Sequence, residues 1–214
     1  MRRKPMNDEY FKTRYSYDKG RNKVWRAICC DLQKYISPKA TVLDLGCGYC
    51  DFINNIQAKE KIAVDISTDS KNYCLETVNF YLSPSNKLNF LRHETVDVTF
   101  SSNLFEHLED QILYETLQET FRITAKGGKL ILLQPNFKYS YKDYFDDYTH
   151  KKVFTHISLA DCVRSFGFKL EKSYHKYLPF TFKSLIPKSY WLTRCYLMSP
   201  FKPMAKQMLL IFKK

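Results

Sequence analysis

The chain predicts an α/β fold with a parallel sheet and helices on both faces. Three observations carry that reading. Short apolar runs of strand length recur, longer segments with helical spacing separate them, and glycine or proline marks most boundaries. Over the first 135 residues strands alternate with helices, the order that builds a parallel sheet covered on both sides.

Residues 22–36 (NKVWRAICCDLQKYI) place Val24, Trp25, Ile28, Leu32, Tyr35 and Ile36 on one helical face, stopped by Ser37-Pro38. TVLDL, 41–45, is a short buried strand ending at Gly46, and a helix is expected from Phe52 to Gln57. KIAVDI, 61–66, TVNFYL, 77–82, and VDVTFSS, 96–102, are the next strands. The segment 108–125 is the clearest helix, expected to close at Gly127-Gly128 before the apolar strand KLILLQ, 129–134. SLADCVRSF, 158–166, is a short helix stopped by Gly167, and FKLEKSYHKYL and MLLIFKK are late strands. Residues 180–207 read as an irregular excursion before the last of these.

The formal charge of +12 sits at the ends: +6 over residues 1–26, +9 over 168–214 and −3 between. Two basic ends suit a partner bearing phosphate or carboxylate groups, with a merely solvated basic surface as the alternative. The N-terminus lacks the apolar core of a signal peptide, and no run approaches the roughly 18 apolar residues of a membrane span. Seven cysteines without regular spacing suit reduced thiols, so a cytoplasmic protein is expected.

The first strand runs into VLDLGCGYCDF, 42–52. Glycines there let a backbone approach a ligand closely. A dinucleotide loop would be G-x-G-x-x-G, but the third slot holds Asp51, and Asp44 at the strand end disfavours a pyrophosphate. A cationic cofactor without phosphate fits better, and S-adenosylmethionine carries both an ammonium and a sulfonium. Asp65, 21 residues beyond Asp44 at the next strand end, is placed to accept two ribose hydroxyls.

With VLDLGCGYCDF, AVDIS (63–67), VDVTFSSNLFEHL (96–108) and GGKLILLQPNF (127–137) in this order, the chain resembles the class I S-adenosylmethionine-dependent methyltransferases, in particular their type 11 branch. The resemblance implies a Rossmann-like three-layer sandwich with a seven-stranded, mostly parallel sheet and an antiparallel last strand. It implies one domain over 1–214: a basic, helical cap (1–36), a cofactor-binding core (40–137), and an acceptor-side segment with the last strands (138–214). Asp44, Gly46, Cys47, Gly48 and Tyr49 would hold the methionine end of the cofactor. Asp65 would hold the ribose, Ile66 would pack on the adenine, and Asn103 and Leu104 would lie beside the sulfonium. Two departures stand out. Cys50 replaces a third glycine, so the backbone should approach the ligand less closely. SPSNKLNFL, 83–91, lacks the Asp that often accepts the adenine amino group, a place Asn86 could take.

Cys47 and Cys50 also form a C-x-x-C pair, but with no second pair nearby neither a metal nor a redox centre is expected. His107 is a candidate general base for a hydroxyl acceptor, or else a helix-start residue bonded locally. YFDDYTHKKVFTH, 144–156, supplies Asp147, Tyr148 and His156 as candidate substrate-binding residues and His150 as a second candidate base. Its His/Asp spacing matches no common metal site, so no metal is expected. Near the N-terminus Arg14 could pair with the cofactor carboxylate, and Tyr10 or Tyr15 could cover the site. Residues 180–207 interleave Lys/Arg with aromatics, as for a lipid-linked acceptor or peripheral contact with an anionic membrane. No nucleic-acid-binding module is legible.

The type 11 branch, with its FDDYTH-to-ADCVRSFGF segment, looks like enzymes of surface-polysaccharide assembly. The expected acceptor is therefore a sugar hydroxyl of a glycan or nucleotide-sugar. A small-molecule or lipid-quinone acceptor is the second choice, and a non-catalytic cofactor-binding regulatory scaffold the third.

Overall fold

The computed structural model describes residues 18, 20–179 and 187–214. Helix α1 (Arg21–Leu32) buries Val24, Trp25, Ile28 and Leu32, the stripe their spacing requires, and a 3-10 turn over Gln33–Tyr35 follows it. Strands β1 (Thr41–Leu45), β2 (Glu60–Asp65), β3 (Asn79–Leu82), β4 (Val96–Ser102), β5 (Thr124–Pro135), β6 (Lys169–Pro179) and β7 (Ala205–Lys213) make one sheet in the order β3-β2-β1-β4-β5-β7-β6. The run from β3 to β5 is parallel, and β7 lies antiparallel between β5 and β6. This is the seven-stranded, mostly parallel sheet with an antiparallel last strand that the sequence implies.

Further helices are α2 (Asp51–Asn55), α3 (Asp110–Ile123), the single turn α4 (Phe137–Ser140), α5 (His156–Arg164) and α6 (Tyr190–Met198). Side chains alternate across the central strands because the strand period is two. Val42, Ala63, Val98 and Phe100 join the core that contains the inward residues of α1 and α2. Leu43, Leu45, Ile62 and Val64 fill a cluster with Leu88, Leu91 and Ile123. Phe100 is fully buried, stacked on Phe52 at 3.8 Å and edge-on to Trp25 at 6.2 Å. Arg21 ties α1 to the first residue of α2 through a buried pair with Asp51, 2.9 Å from Nε to Oδ2.

The structure corrects two expectations. Gly127-Gly128 do not close the preceding helix, which ends at Ile123; they lie inside β5. Thr124 already pairs with Val96, and the register shifts before Lys129 meets Val98, so the glycines occupy an irregularity in the ladder. A Cβ on Gly128 would sit 2.8 Å from the Ala125 carbonyl oxygen and 2.9 Å from that of Asp97. The excursion at 180–207 holds a regular helix, α6, capped by Ser189, whose hydroxyl accepts from the Leu192 amide. Its residues 180–186 lie outside the described residues.

Truncating Phe100 to alanine should lower the unfolding free energy by about 3–5 kcal/mol. Tyr148, 62% exposed, should change it by less than about 0.5 kcal/mol when truncated. Urea midpoints at unchanged slope measure both, and equal losses would contradict the packing described.

Candidate active site

Beyond Leu45 the chain turns across the end of β2. The amides of Gly46 and Cys47 donate to the Val64 carbonyl at 2.8 and 3.1 Å, and that of Gly48 donates to Asp65 Oδ2 at 2.8 Å. Gly46 and Gly48 have φ of +75° and +51°, the left-handed region glycine enters at little cost. A Cβ on Gly46 would meet Leu104 Cδ2 at 3.1 Å, so residue 46 must be small for the β4 end to close on this loop.

Cys50 also lies in the left-handed region, at φ +56°, as the N-cap of α2. It thus adopts the backbone shape of the glycine it replaces, at a cost of about 1–2 kcal/mol. Its side chain is fully buried in the core beneath the loop. The thiol thus packs into the core rather than standing out from the loop. The two cysteines do meet, with sulfurs 3.7 Å apart. The Cys47 contact pushes the Cys50 thiol up, and the Cys50 contact does the same to Cys74, burial adding to both. The Cys50 contact pulls Cys47 down, but burial with nearby Asp44 and Asp65 prevails and lifts it to about 11. Such thiols stay protonated at neutral pH and are poor ligands and nucleophiles.

Asp44 is buried, accepts the Ile53 amide, and is pushed well above the usual carboxylate range by burial. Asp65 is also buried and raised, though the Gly48 amide and the Ser67 amide, 2.9 Å from Oδ1, partly offset the loss of water. Ile66 beside it is 53% exposed, an apolar surface at the mouth of the loop. Tyr49 is buried, its ring edge-on to Tyr73 at 4.6 Å with the Arg21 guanidinium 5.4 Å away. Asn86 donates to Glu115 Oε2 of α3 at 2.6 Å, and its buried Oδ1 lacks a partner among the described residues. Asn103, at φ +50°, accepts from Gln207 Nε2 at 2.9 Å. Arg14, Tyr10 and Tyr15 lie outside the described residues.

Two buried carboxyls at adjacent strand ends, with a glycine turn between them, fit a cationic group and a pair of hydroxyls. The residues present therefore suit S-adenosylmethionine: Asp44 and the 46–49 loop for its charged end, Asp65 for the ribose, and Ile66 for the adenine.

A second set gathers just past β4. A 3-10 turn over Phe105–His107 carries Glu106 and His107. The Glu106 carbonyl accepts the amides of Lys151 and Lys152 at 2.8 and 3.0 Å, which docks the segment after α4 onto this turn. His107 Nδ1 meets the Thr149 carbonyl at 3.2 Å and its hydroxyl at 3.0 Å. That hydroxyl donates to Asp147 Oδ1 at 2.6 Å. His150 Nδ1 meets the Tyr144 carbonyl at 2.6 Å, and the two imidazoles stand 4.9 Å apart. Burial, then the neighbouring His150, pull His107 down to about 4, which makes it a weak proton acceptor. Burial pushes Glu106 up to about 8.

The structure brings His107, His150 and Asp147 together. Tyr148 points outward, and His156 sits on α5 against Asn136 Nδ2 at 3.2 Å and the His175 ring at 5.6 Å. Glu106 was passed over in the sequence, although it directly precedes His107 in a turn that ends a central strand.

The methyltransferase domain family matches residues 17–173. No curated protein matches the chain. Among solved structures, an S-adenosylmethionine-dependent methyltransferase from Archaeoglobus fulgidus aligns at TM-score 0.67 and 21% identity, over 99% of this chain and all of that one. Enzymes of the same description from Mesorhizobium loti (TM-score 0.63, 14% identity, 88% of this chain and 98% of that one) and Aquifex aeolicus (0.60, 15%, 98% of each) share the fold.

Iodoacetamide at mildly alkaline pH should label the exposed Cys30 and Cys195 well before Cys29, Cys47 and Cys50, followed by peptide mass spectrometry. Early labelling of Cys47 or Cys50 would instead mark a reactive dithiol.

Proposed function

The chain belongs to the methyltransferase domain family, and from that premise we propose that it methylates a hydroxyl, in the first instance that of a sugar in a surface glycan or nucleotide-sugar. It is a class I S-adenosylmethionine-dependent methyltransferase. The observation that carries the reading is the folding of the glycine loop across Asp65, which sets two buried carboxyls at adjacent strand ends beside an exposed Ile66. When bound, the cofactor supplies a methyl group on a sulfonium. The chain's own contribution is position. Asp44 and Asp65 hold charge and hydroxyls at the ends of β1 and β2, and Leu104 closes the floor beside Gly46. Fixing two reactants in attack geometry can supply roughly 7–11 kcal/mol of a barrier.

On the acceptor side we assign His107 and His150 to the reacting oxygen and Asp147, Tyr148 and His156 to the rest of the acceptor. A polar cluster of imidazole, carboxyl and hydroxyl groups supports a hydroxylated acceptor over an apolar one. The C-terminal segment supports an anionic or lipid-linked form of it. Trp191, Met198, Phe201 and Met204 are each at least 72% exposed among lysines and arginines, the mixture that suits an acidic lipid surface. Among the described residues no helix is long and apolar enough to cross a membrane.

Asp65→Ala should abolish S-adenosylmethionine binding in calorimetry, and unchanged affinity would remove the ribose assignment. The sign of the pH dependence follows from the raised carboxyls. The cationic cofactor prefers ionised Asp44 and Asp65, so binding releases protons, and affinity should rise with pH from the ordinary carboxylate range upward. Calorimetry in two buffers of different ionisation enthalpy reads that release. Incubation with labelled cofactor and a panel of nucleotide-sugars, glycans and lipid-linked sugars should yield a methylated sugar. Transfer only to quinones or small phenols would redirect the acceptor.

A further inference from the structure

Among the described residues, Glu106 is a buried carboxyl that its surroundings do not meet. It is 2% exposed, and neither carboxyl oxygen has a hydrogen-bond partner among the described residues. A buried carboxyl in that condition is destabilising unless something else meets it. The groups beside it are imidazoles. One ligand atom each from Glu106, His107 and His150 lies within 4.8 Å of the other two, close enough for a single ion to bridge them.

The imidazoles are set as ligands by their outer contacts. A carbonyl only accepts, so the Thr149 and Tyr144 carbonyls put the Nδ1 proton on His107 and His150 and the lone pair on Nε2. His107 leans on the Thr149 hydroxyl, which is itself held by Asp147, a carboxylate–hydroxyl–imidazole relay of the kind that orients metal-bound histidines. The turn bearing Glu106 begins one residue past Leu104, which packs against Gly46 of the cofactor loop.

We propose that Glu106, His107 and His150 bind one divalent first-row transition metal ion, which holds the acceptor hydroxyl beside the cofactor. Two imidazoles and a carboxylate select zinc and its neighbours over calcium or magnesium, which prefer all-oxygen shells. Three protein ligands leave a coordination position for the acceptor. Bound there, the hydroxyl is acidified: its O–H bond breaks, the electron pair stays on the metal-held oxygen, and the proton passes to solvent water. This role for the ion rests on the hydroxyl acceptor proposed above, whereas the site itself does not. The sequence reading expected no metal because it counted His and Asp within residues 144–156, whereas the set joins that segment to Glu106 and His107.

The test is titration of untagged, chelator-treated full-length protein with Zn2+ and with Co2+. We expect about one equivalent of either ion, visible-range Co2+ absorption of low-symmetry coordination, and a rise in melting temperature on loading. Glu106→Gln keeps shape and removes the charge. It should lose at least tenfold in metal affinity while binding S-adenosylmethionine as the wild type does, which also shows that it folds. Thr149→Val should cost about 10–100-fold in metal affinity through His107. No uptake by the wild type, or equal uptake by wild type and Glu106→Gln, overturns the site. Metal binding that persists when S-adenosylmethionine fails to bind would sink the methyltransferase reading and leave the site standing.

Discussion

The pairing of β1 with β2 on one side and β4 on the other is the constraint from which the site follows. Chain order runs outward from β1 to β2 and β3, then crosses back to β4 and β5. The connections leaving β1 and β4 therefore diverge, and a crevice opens at the carboxyl ends of these strands, where ligands bind in open parallel sheets. Each chemically informative group stands at that edge. Asp44 and the glycine loop end β1, Asp65 ends β2, and Asn103 to His107 follow β4. A central strand is covered on both faces and tolerates few charges within, so carboxylates and imidazoles gather where it stops.

Besides Asp51, held by Arg21, three carboxyl groups among the described residues are buried along this edge, and their surroundings separate their roles. Asp65 is met by the amides of Gly48 and Ser67, and Asp44 by that of Ile53. Both are preorganised acceptors whose charge is partly supported before a ligand arrives. Glu106 has no such donor from another residue among those described. Its environment is completed by imidazoles whose Nδ1 protons are spent on carbonyls, so their Nε2 atoms donate to a carboxylate only when the ring is cationic, and burial with mutual repulsion keeps His107 neutral. The first two carboxyls suit a cationic organic ligand; the third suits an ion that brings its own charge.

Much of the fold was legible because buried strands have few alternatives. TVLDL and VDVTFSS coincide with β1 and β4 residue for residue, since a short apolar run bounded by turn residues can hide only inside a sheet. The Asp44–Gly46–Gly48–Asp65 set was legible for a related reason: loop and strand end lie close in sequence, and their pairing is forced by adjacent parallel strands. Gly127-Gly128 misled because a glycine pair stops a helix and admits a ladder irregularity equally well. Only the neighbouring Asp97 and Ala125 carbonyls decide between them. The place of the Cys50 thiol was not legible, because a side chain's direction from a left-handed residue depends on the core beneath it.

The chain's residues alone determined the alternation of elements, the glycine loop and the acidic strand ends, because each rests on local spacing and on the apolar periodicity of a sheet. The cluster of Glu106, His107 and His150 was decided only in three dimensions. Glu106 and His107 reach His150 across 44 and 43 positions of sequence, joined by two backbone hydrogen bonds to the Glu106 carbonyl and by the Thr149 relay. His156, in the same local motif as His150, is carried away on α5. Local sequence sets which side chains are available; long-range backbone docking sets which of them share a cavity, and no periodicity encodes that contact.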